Sequence, residues 1–401
     1  SNEADLEEII HLGEHSLSGV FPSDINEKVS KGPLSLVRSK SSGLVQLGQT
    51  YNLNQMYGKN YGYRSGLNNS MIKHLKDKSR TLDSMVELAK GDLVVDIGSN
   101  DGTFLNFFSG KELNLIGVDP SAGKFRSFYN KDIKLYTEFF PSKSFVSENK
   151  NSKAKLITSI SMFYDLESPM DFVNEIQKIL DKNGVWHFEQ SYLPTMLEKN
   201  SYDTICHEHL EYYSLHVIKH ILEKNNLKIL DVNFNDINGG SFSVDAVLKE
   251  NKNFKLNNSK IDSILQQESK LFLNTSQPYR KFSNRIKKHK EDLRALLINL
   301  KSDGKIILGY GASTKGNILL QYCGIDCQLI SHIAEVNKDK YGCFTPGTNI
   351  PIISESEAKN MNPDYFLVLP WHFRENIIKK EQSFLNSGGK LIFPLPQIKI
   401  I

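Results

Sequence analysis

Cysteine is scarce in this chain: Cys206, Cys323, Cys327 and Cys343 are the only four in 401 residues, and no two form a C-x-x-C pair. Four are too few to staple a chain of this length, and a reducing compartment fits. Long apolar runs are missing as well. None reaches the ~18 residues that a membrane span needs, and SNEADLEEII at the N-terminus has neither the basic start nor the apolar core of a signal segment. The expectation is a cytoplasmic protein with no membrane partner. An excess of one charge is lacking too, with Lys+Arg 49 against Asp+Glu 46. That balance builds no polyanion-binding surface, so nucleic acid is not an expected partner.

What the sequence does contain is organised in four parts. Residues 1–75 show no sustained periodicity and are rich in Gly, Ser and Asn, which predicts an irregular small module. Within it YGKNYGYRSG places Tyr57, Tyr61 and Tyr63 around glycines, either as loop packing or as a lid facing a substrate. Residues 76–250 alternate short apolar strands (LVVDIGSN, NLIGVDP, KLITSISMFY, GVWHFEQ) with amphipathic helices, so an α/β domain with a parallel, Rossmann-like sheet is predicted. Residues 251–302 read as a helical linker. Residues 303–401 begin a second α/β unit with KIILGYGASTKGNILLQYCGI, a strand, a glycine-rich turn and a helix.

The first glycine loop carries chemistry. In VVDIGSNDGTFL, Asp96 ends a strand and is followed by Gly98, Ser99, Asn100, Asp101 and Gly102. Glycines let backbone approach a ligand closely, and the helix that follows opens with unpaired N–H groups. A dinucleotide site would read G-x-G-x-x-G. Carboxylates beside a pyrophosphate repel it, so a cationic ligand fits this acidic loop better. About 20 residues on, GVDP sets Asp119, with Pro120 after it, where a ribose would be gripped. The combination points to S-adenosylmethionine, whose pocket is also expected to include Phe140.

DTICHEHLEYY packs His207, Glu208 and His209 together. In an extended segment the two histidines share a face; in a helix they point ~200° apart. An acid/base strip, a metal site and a solvated turn are all compatible with the spacing, although H-E-x-x-H is absent.

Taken together, VVDIGSNDGTFL, EQSYLPTMLEKNSYDTICHEHLEYYSL, NGGSF, GYGASTKGNILLQYCGI and PGTNIPI resemble the three-part class I methyltransferases that act on nucleotide sugars, notably the C-methyltransferases of deoxysugar biosynthesis. The resemblance runs from GLVQL to FPLP. It implies a zinc-binding N-terminal module, a central S-adenosylmethionine domain and a C-terminal Rossmann-like domain that holds a nucleotide-diphosphate sugar. It also implies that His209 is the base, with Glu208 close to the substrate. Tyr61 or Tyr63 would donate to the enolate oxygen.

Three departures stand out. Ser39 and Ser42 replace a C-x-x-C pair, so no zinc is expected. Cys206 stands for a tyrosine and Asp165 for a histidine near the expected substrate pocket. Asn238 in NGGS reads either as a turn or as a substrate contact. In GYGASTKG, Gly311, Ser313 and Lys315 suit a diphosphate at a helix N-terminus, with NAD(P) as the rival ligand. Glu335 would serve a ribose of either. Arg374, with Trp371 and His372, would line the same crevice.

The function expected is methyl transfer to a sugar carbon beside a keto group, through a histidine-generated enolate. Oxygen or nitrogen methylation, an NAD(P)-dependent sugar oxidoreductase and a non-catalytic binding protein are the alternatives. Monomer and dimer are equally compatible with the sequence.

Overall fold

The structure is a computed structural model that describes residues 5–51 and 63–401. Three sheets organise it. The first pairs β1 (Leu6–Ser16), β2 (Lys31–Ser39) and β3 (Val45–Leu47) antiparallel, and takes its fourth strand, β9 (Glu211–Tyr212), from the middle of the chain. Strands of this length were not expected from an aperiodic sequence. The reason is visible in the register, which slips between Glu8 and Ile10 and again between His11 and Gly13. Each slip turns the following side chains to the other face and erases the alternation that a strand would show.

Around Ser39 and Ser42, hydrogen bonds hold this module together. The Asp5 carboxylate accepts the hydroxyls of Ser39 (2.5 Å) and Ser41 (2.6 Å), and Ser39 Oγ accepts the N–H of Ser42 at 3.1 Å. Among the described residues no group of three or more His, Cys, Asp or Glu is arranged to hold a metal. No described helix is long and apolar enough to cross a membrane.

The second sheet contains β4 (Leu93–Ile97), β5 (Asn114–Val118), β6 (Ile133–Tyr136), β7 (Ala154–Ile160), β8 (Leu180–Ser191), β10 (Leu227–Asn235) and β11 (Ser241–Leu248), in the order β10-β11-β8-β7-β4-β5-β6. All neighbours are parallel except β11, which runs antiparallel to both β8 and β10. This is the class I methyltransferase sheet. Its order reverses between β4 and β7, and ligands of open α/β sheets sit at the carboxyl ends of the strands at such a switch. The inner strands β4, β5 and β7 are largely buried on both faces, so they read as nearly continuous apolar runs. Helices seal those faces. In Pro169–Ile179, proline opens the first turn, Lys178 lies in the last, and Phe172, Val173 and Ile176 turn inward.

The third sheet contains β12 (Ile307–Tyr310), β13 (Ile333–Glu335), β14 (Ile352–Ser354), β15 (Tyr365–Val368), β16 (Lys390–Phe393) and β17 (Lys399–Ile400), in the order β14-β13-β12-β15-β16-β17. Only the edge strand β17 is antiparallel. A Rossmann-like order with its own switch point results. The long helix Gln277–Ser302 connects the parts: Tyr279, Phe282, Ile286, His289, Leu293 and Leu297 recur at three- and four-residue steps and are all buried. One core cluster therefore runs from Leu34 and Leu36 of β2, through this helix, to Ile333 and Phe366 of the C-terminal sheet.

Candidate active site

A cavity of about 330 Å³ opens at the carboxyl ends of β4 and β5, lined by Asp96, Gly98, Ser99, Asn100, Asp119, Pro120 and Phe140 among others. Of the residues expected to hold the cofactor, only Gly102 is not in its wall. Gly98 has φ +78°, and a β-carbon there would come 2.7 Å from the Met162 side chain, so the turn admits glycine alone. Asp119 Oδ2 accepts the N–H of Asn100 at 2.9 Å, and Oδ1 accepts the N–H and hydroxyl of Ser121, both at 2.6 Å. Each oxygen has two lone pairs, so Oδ2 keeps one for a ribose hydroxyl. Asp96 accepts the Thr158 hydroxyl at 2.6 Å. Burial pushes its carboxyl up to about 7, the Thr158 bond opposes this, and the Asp119 charge adds to it.

The second acid of the loop behaves otherwise. Asp101 turns away from the cavity and accepts from Arg64 Nε (3.3 Å), the N–H of Gly66 (3.0 Å) and the hydroxyl of Thr103 (2.6 Å). Asn100 holds the same segment, taking the N–H of Ser65 at 3.0 Å and donating to the Tyr63 carbonyl at 3.2 Å. The acidity of VVDIGSNDG toward a ligand thus comes from Asp96 and not from Asp101. Tyr63 is fixed on the cavity wall, half exposed. Tyr57 and Tyr61 lie outside the described residues.

The two histidines of HEH part company. A turn from Cys206 to His209, closed by a 3.2 Å backbone bond, sends them to different sides. His207 is fully buried, packs edge-on against Tyr51 at 4.7 Å, and reaches the Gly32 carbonyl at 3.4 Å in the N-terminal module. Burial holds it down at about 4. His209 Nδ1 lies 2.8 Å from the Thr204 carbonyl. A carbonyl only accepts, so Nδ1 carries the proton and Nε2 presents its lone pair. Burial, and then the Lys315 ammonium, hold this imidazole down at about 3. Tyr164 crosses it edge-on at 4.4 Å, and the next residue, Asp165, lines the cofactor cavity. Cys206, expected at the substrate, sits wholly inside the core with its thiol pushed well up by burial and by Glu208.

Two family models match in series. A "Methyltransferase domain" model covers residues 73–232, and a "C-methyltransferase C-terminal domain" model covers 236–396. The C-methyltransferase NovU of Streptomyces niveus is 29% identical over 99% of this chain and 94% of its own length. The chain is a methyltransferase that depends on S-adenosylmethionine. Among solved structures, the S-adenosylmethionine-dependent methyltransferase of Clostridium acetobutylicum overlaps 44% of this chain and 92% of its own (TM-score 0.34, 15% identity). The magnesium protoporphyrin IX methyltransferase of Synechocystis with bound S-adenosylmethionine overlaps 49% and 89% (TM-score 0.33, 15% identity).

In this methyltransferase the second glycine loop is built like the first. Gly311 has φ +83°, and a β-carbon there would strike the Pro370 ring at 2.7 Å. Glu335 mirrors Asp119, but its two oxygens accept the N–H groups of Ala312 (2.7 Å), Val336 (2.7 Å) and Asn337 (2.8 Å). That makes it a strut of the loop. Ser313 caps its helix by accepting the Gly316 N–H at 3.0 Å. Lys315 reaches across to the Asn238 carbonyl at 2.7 Å, and Asn238 Nδ2 touches Ser161 Oγ, on the cavity wall, at 3.3 Å. Lys315 so ties the C-terminal loop to the cofactor side. Arg374 lies over the Phe393 ring at 5.2 Å.

Of the neighbours of this junction, Asp203 is the one that sequence reading missed. Asp203 is buried and accepts Trp371 Nε1 at 2.7 Å, and His372 is held down at about 3 by burial and then by Lys315. Asp203 stands four residues before His207 in the quoted segment.

The cavity's response to pH follows from Asp96. A cationic ligand favours its ionised form, so binding is expected to release a proton and to weaken as pH falls below about 7. Calorimetry of S-adenosylmethionine binding on either side of that value checks this. Asp96→Asn is expected to bind more weakly and to lose the pH dependence.

Proposed function

We propose that this methyltransferase methylates a carbon beside the keto group of a nucleotide-linked sugar, with His209 removing the proton from that carbon. The observation that carries the reading is the fixed tautomer of His209. Its Nδ1 proton is committed to Thr204, so Nε2 is the basic atom, and the ring stands beside Tyr164, whose chain neighbour Asp165 lines the cavity. Bound in the cavity, S-adenosylmethionine supplies an electrophilic methyl group; Asp119 would hold its ribose and Asp96 would face its positive charge.

The chain's own residues do the rest. The helix Thr314–Cys323 turns its N-terminus, with Lys315, toward the junction, which suits the diphosphate of a nucleotide sugar. Burial depresses His209 most, and an anion there offsets the smaller part that the Lys315 cation adds, so the base strengthens when substrate arrives. Tyr63 is assigned the developing enolate oxygen. Carbon as the acceptor is supported by the C-methyltransferase relative.

The test is a panel of nucleoside-diphosphate 4-keto sugars, assayed by mass for the gain of one methyl group. In the absence of methyl donor, the sugar that turns over is expected to exchange its proton next to the keto group with solvent deuterium. Methylation without exchange would remove the enolate and return the acceptor to oxygen or nitrogen.

A further inference from the structure

The N-terminal module reaches the junction through one short strap. Leaving β1, the Ser16 N–H donates to Gln321 Oε1 at 2.7 Å, and Gln321 Nε2 returns a bond to the Ser16 carbonyl at 3.2 Å. Asn317 Nδ2 then donates to the Ser18 carbonyl at 2.7 Å, and the Phe344 N–H donates to that of Pro22 at 2.8 Å. Lys340 stands 4.2 Å over the Phe21 ring. These contacts fasten the strap to the helix Thr314–Cys323 and to the loop that follows β13.

Its inner side faces Glu208. The buried Ser18 hydroxyl donates to Glu208 Oε2 at 3.5 Å. A β-carbon on Gly19 would fall 2.5 Å from Glu208 Oε1 and 3.7 Å from Thr314 Oγ1. Gly19 is therefore required for room and not for an unusual φ. Burial pushes the Glu208 carboxyl up, while the Ser18 hydroxyl and the Gly19 N–H favour its charged form.

We infer that Ser18 and Gly19 are positioning residues for Glu208, so that the N-terminal module completes the active site of the methyltransferase. The inference rests on the reading of Glu208–His209 as the strip that faces the sugar. It assigns the module a share in turnover: the strap sets where the carboxylate stands.

Gly19→Ala isolates this role, because the atom it meets is the tip of a flexible side chain, which moves before any backbone does. On the panel sugar that is turned over, kcat is expected to fall about 10–100-fold, the usual cost of a misplaced group. S-adenosylmethionine affinity stays unchanged. In a Glu208→Gln background the same substitution is expected to add little, since groups that act as a unit are non-additive. An unchanged kcat in Gly19→Ala, or equal losses in both backgrounds, overturns the inference. Ser18→Ala, which deletes only a hydroxyl, gives a milder second cycle if Gly19→Ala misfolds. Should no panel sugar turn over, urea unfolding of Ser18→Ala, Glu208→Gln and the double variant separates the failures. Coupling there upholds the strap and discards the sugar, whereas additivity discards the strap.

Discussion

His209→Asn is expected to lower kcat by about 10²–10⁴-fold, the span of a lost general base. Asparagine can still donate to the Thr204 carbonyl, so the turn from Cys206 to His209 keeps its anchor, and what disappears is the Nε2 lone pair. S-adenosylmethionine binding should be untouched, and solvent exchange into the sugar should fall in step with turnover. His207→Asn provides the contrast. Its ring lies between Tyr51 and the Gly32 carbonyl, so its loss should cost stability, about 1–3 kcal/mol for a disturbed buried polar group, and leave kcat nearly intact. The opposite outcome would move the base to His207.

The pH profile separates the two acids of this site. His209 is neutral at any working pH, since its depressed value near 3 lies far below, so it sets no acid limb close to neutrality. The limb near 7 belongs to Asp96 and should be seen in kcat/KM for S-adenosylmethionine, vanish in Asp96→Asn, and flatten at saturating cofactor.

Local order made much of this legible in the sequence. Asp96, Gly98 and Asp119 are neighbours of strand ends, and strand ends show in apolar runs closed by Gly or Asp. What could not be read were the partners of polar groups. Asp101 looks like Asp96 on paper, but Arg64 and Gly66, more than thirty residues upstream, claim it. Lys315 reads as a phosphate ligand, yet its partner in the structure is Asn238, across a domain junction. Glu335 occupies the position of a ribose-binding acid, and three backbone N–H groups use it first. The choice between His207 and His209 needed a turn that has no glycine or proline to announce it. The N-terminal strands were hidden by their own bulges.

Glu189 is the largest feature that sequence reading passed over. It lies within GVWHFEQS on β8, fully buried, and its signal was a carboxylate close behind the apolar residues Val185, Trp186 and Phe188 of that strand. Such a group needs partners. They come from the helix Asn69–Val86: His74 Nε2 stands 2.7 Å from Oε1 and Lys78 Nζ 2.8 Å from Oε2, with Asn235 Nδ2 also at 2.8 Å. Burial alone would raise this carboxyl, but His74 and Lys78 outweigh it and hold it at about 2. Glu189→Gln leaves Lys78, itself only 11% exposed, beside a neutral amide, and is expected to cost about 3–5 kcal/mol in urea unfolding, as for a broken buried ion pair. The sign of the pH effect is fixed by the depressed value. The stabilisation is present in full above the unfolded value of 4.5 and is lost as pH falls toward about 2, so the gap between wild type and variant should close in acid. A second loss should accompany the first. Met71 and Leu75 of the same helix line the cofactor cavity, so loosening the helix from β8 should weaken S-adenosylmethionine binding as well. Lys78→Met in the Glu189→Gln background should restore part of the stability by removing the stranded charge; no recovery would show that the ion pair is not what holds the helix to the sheet.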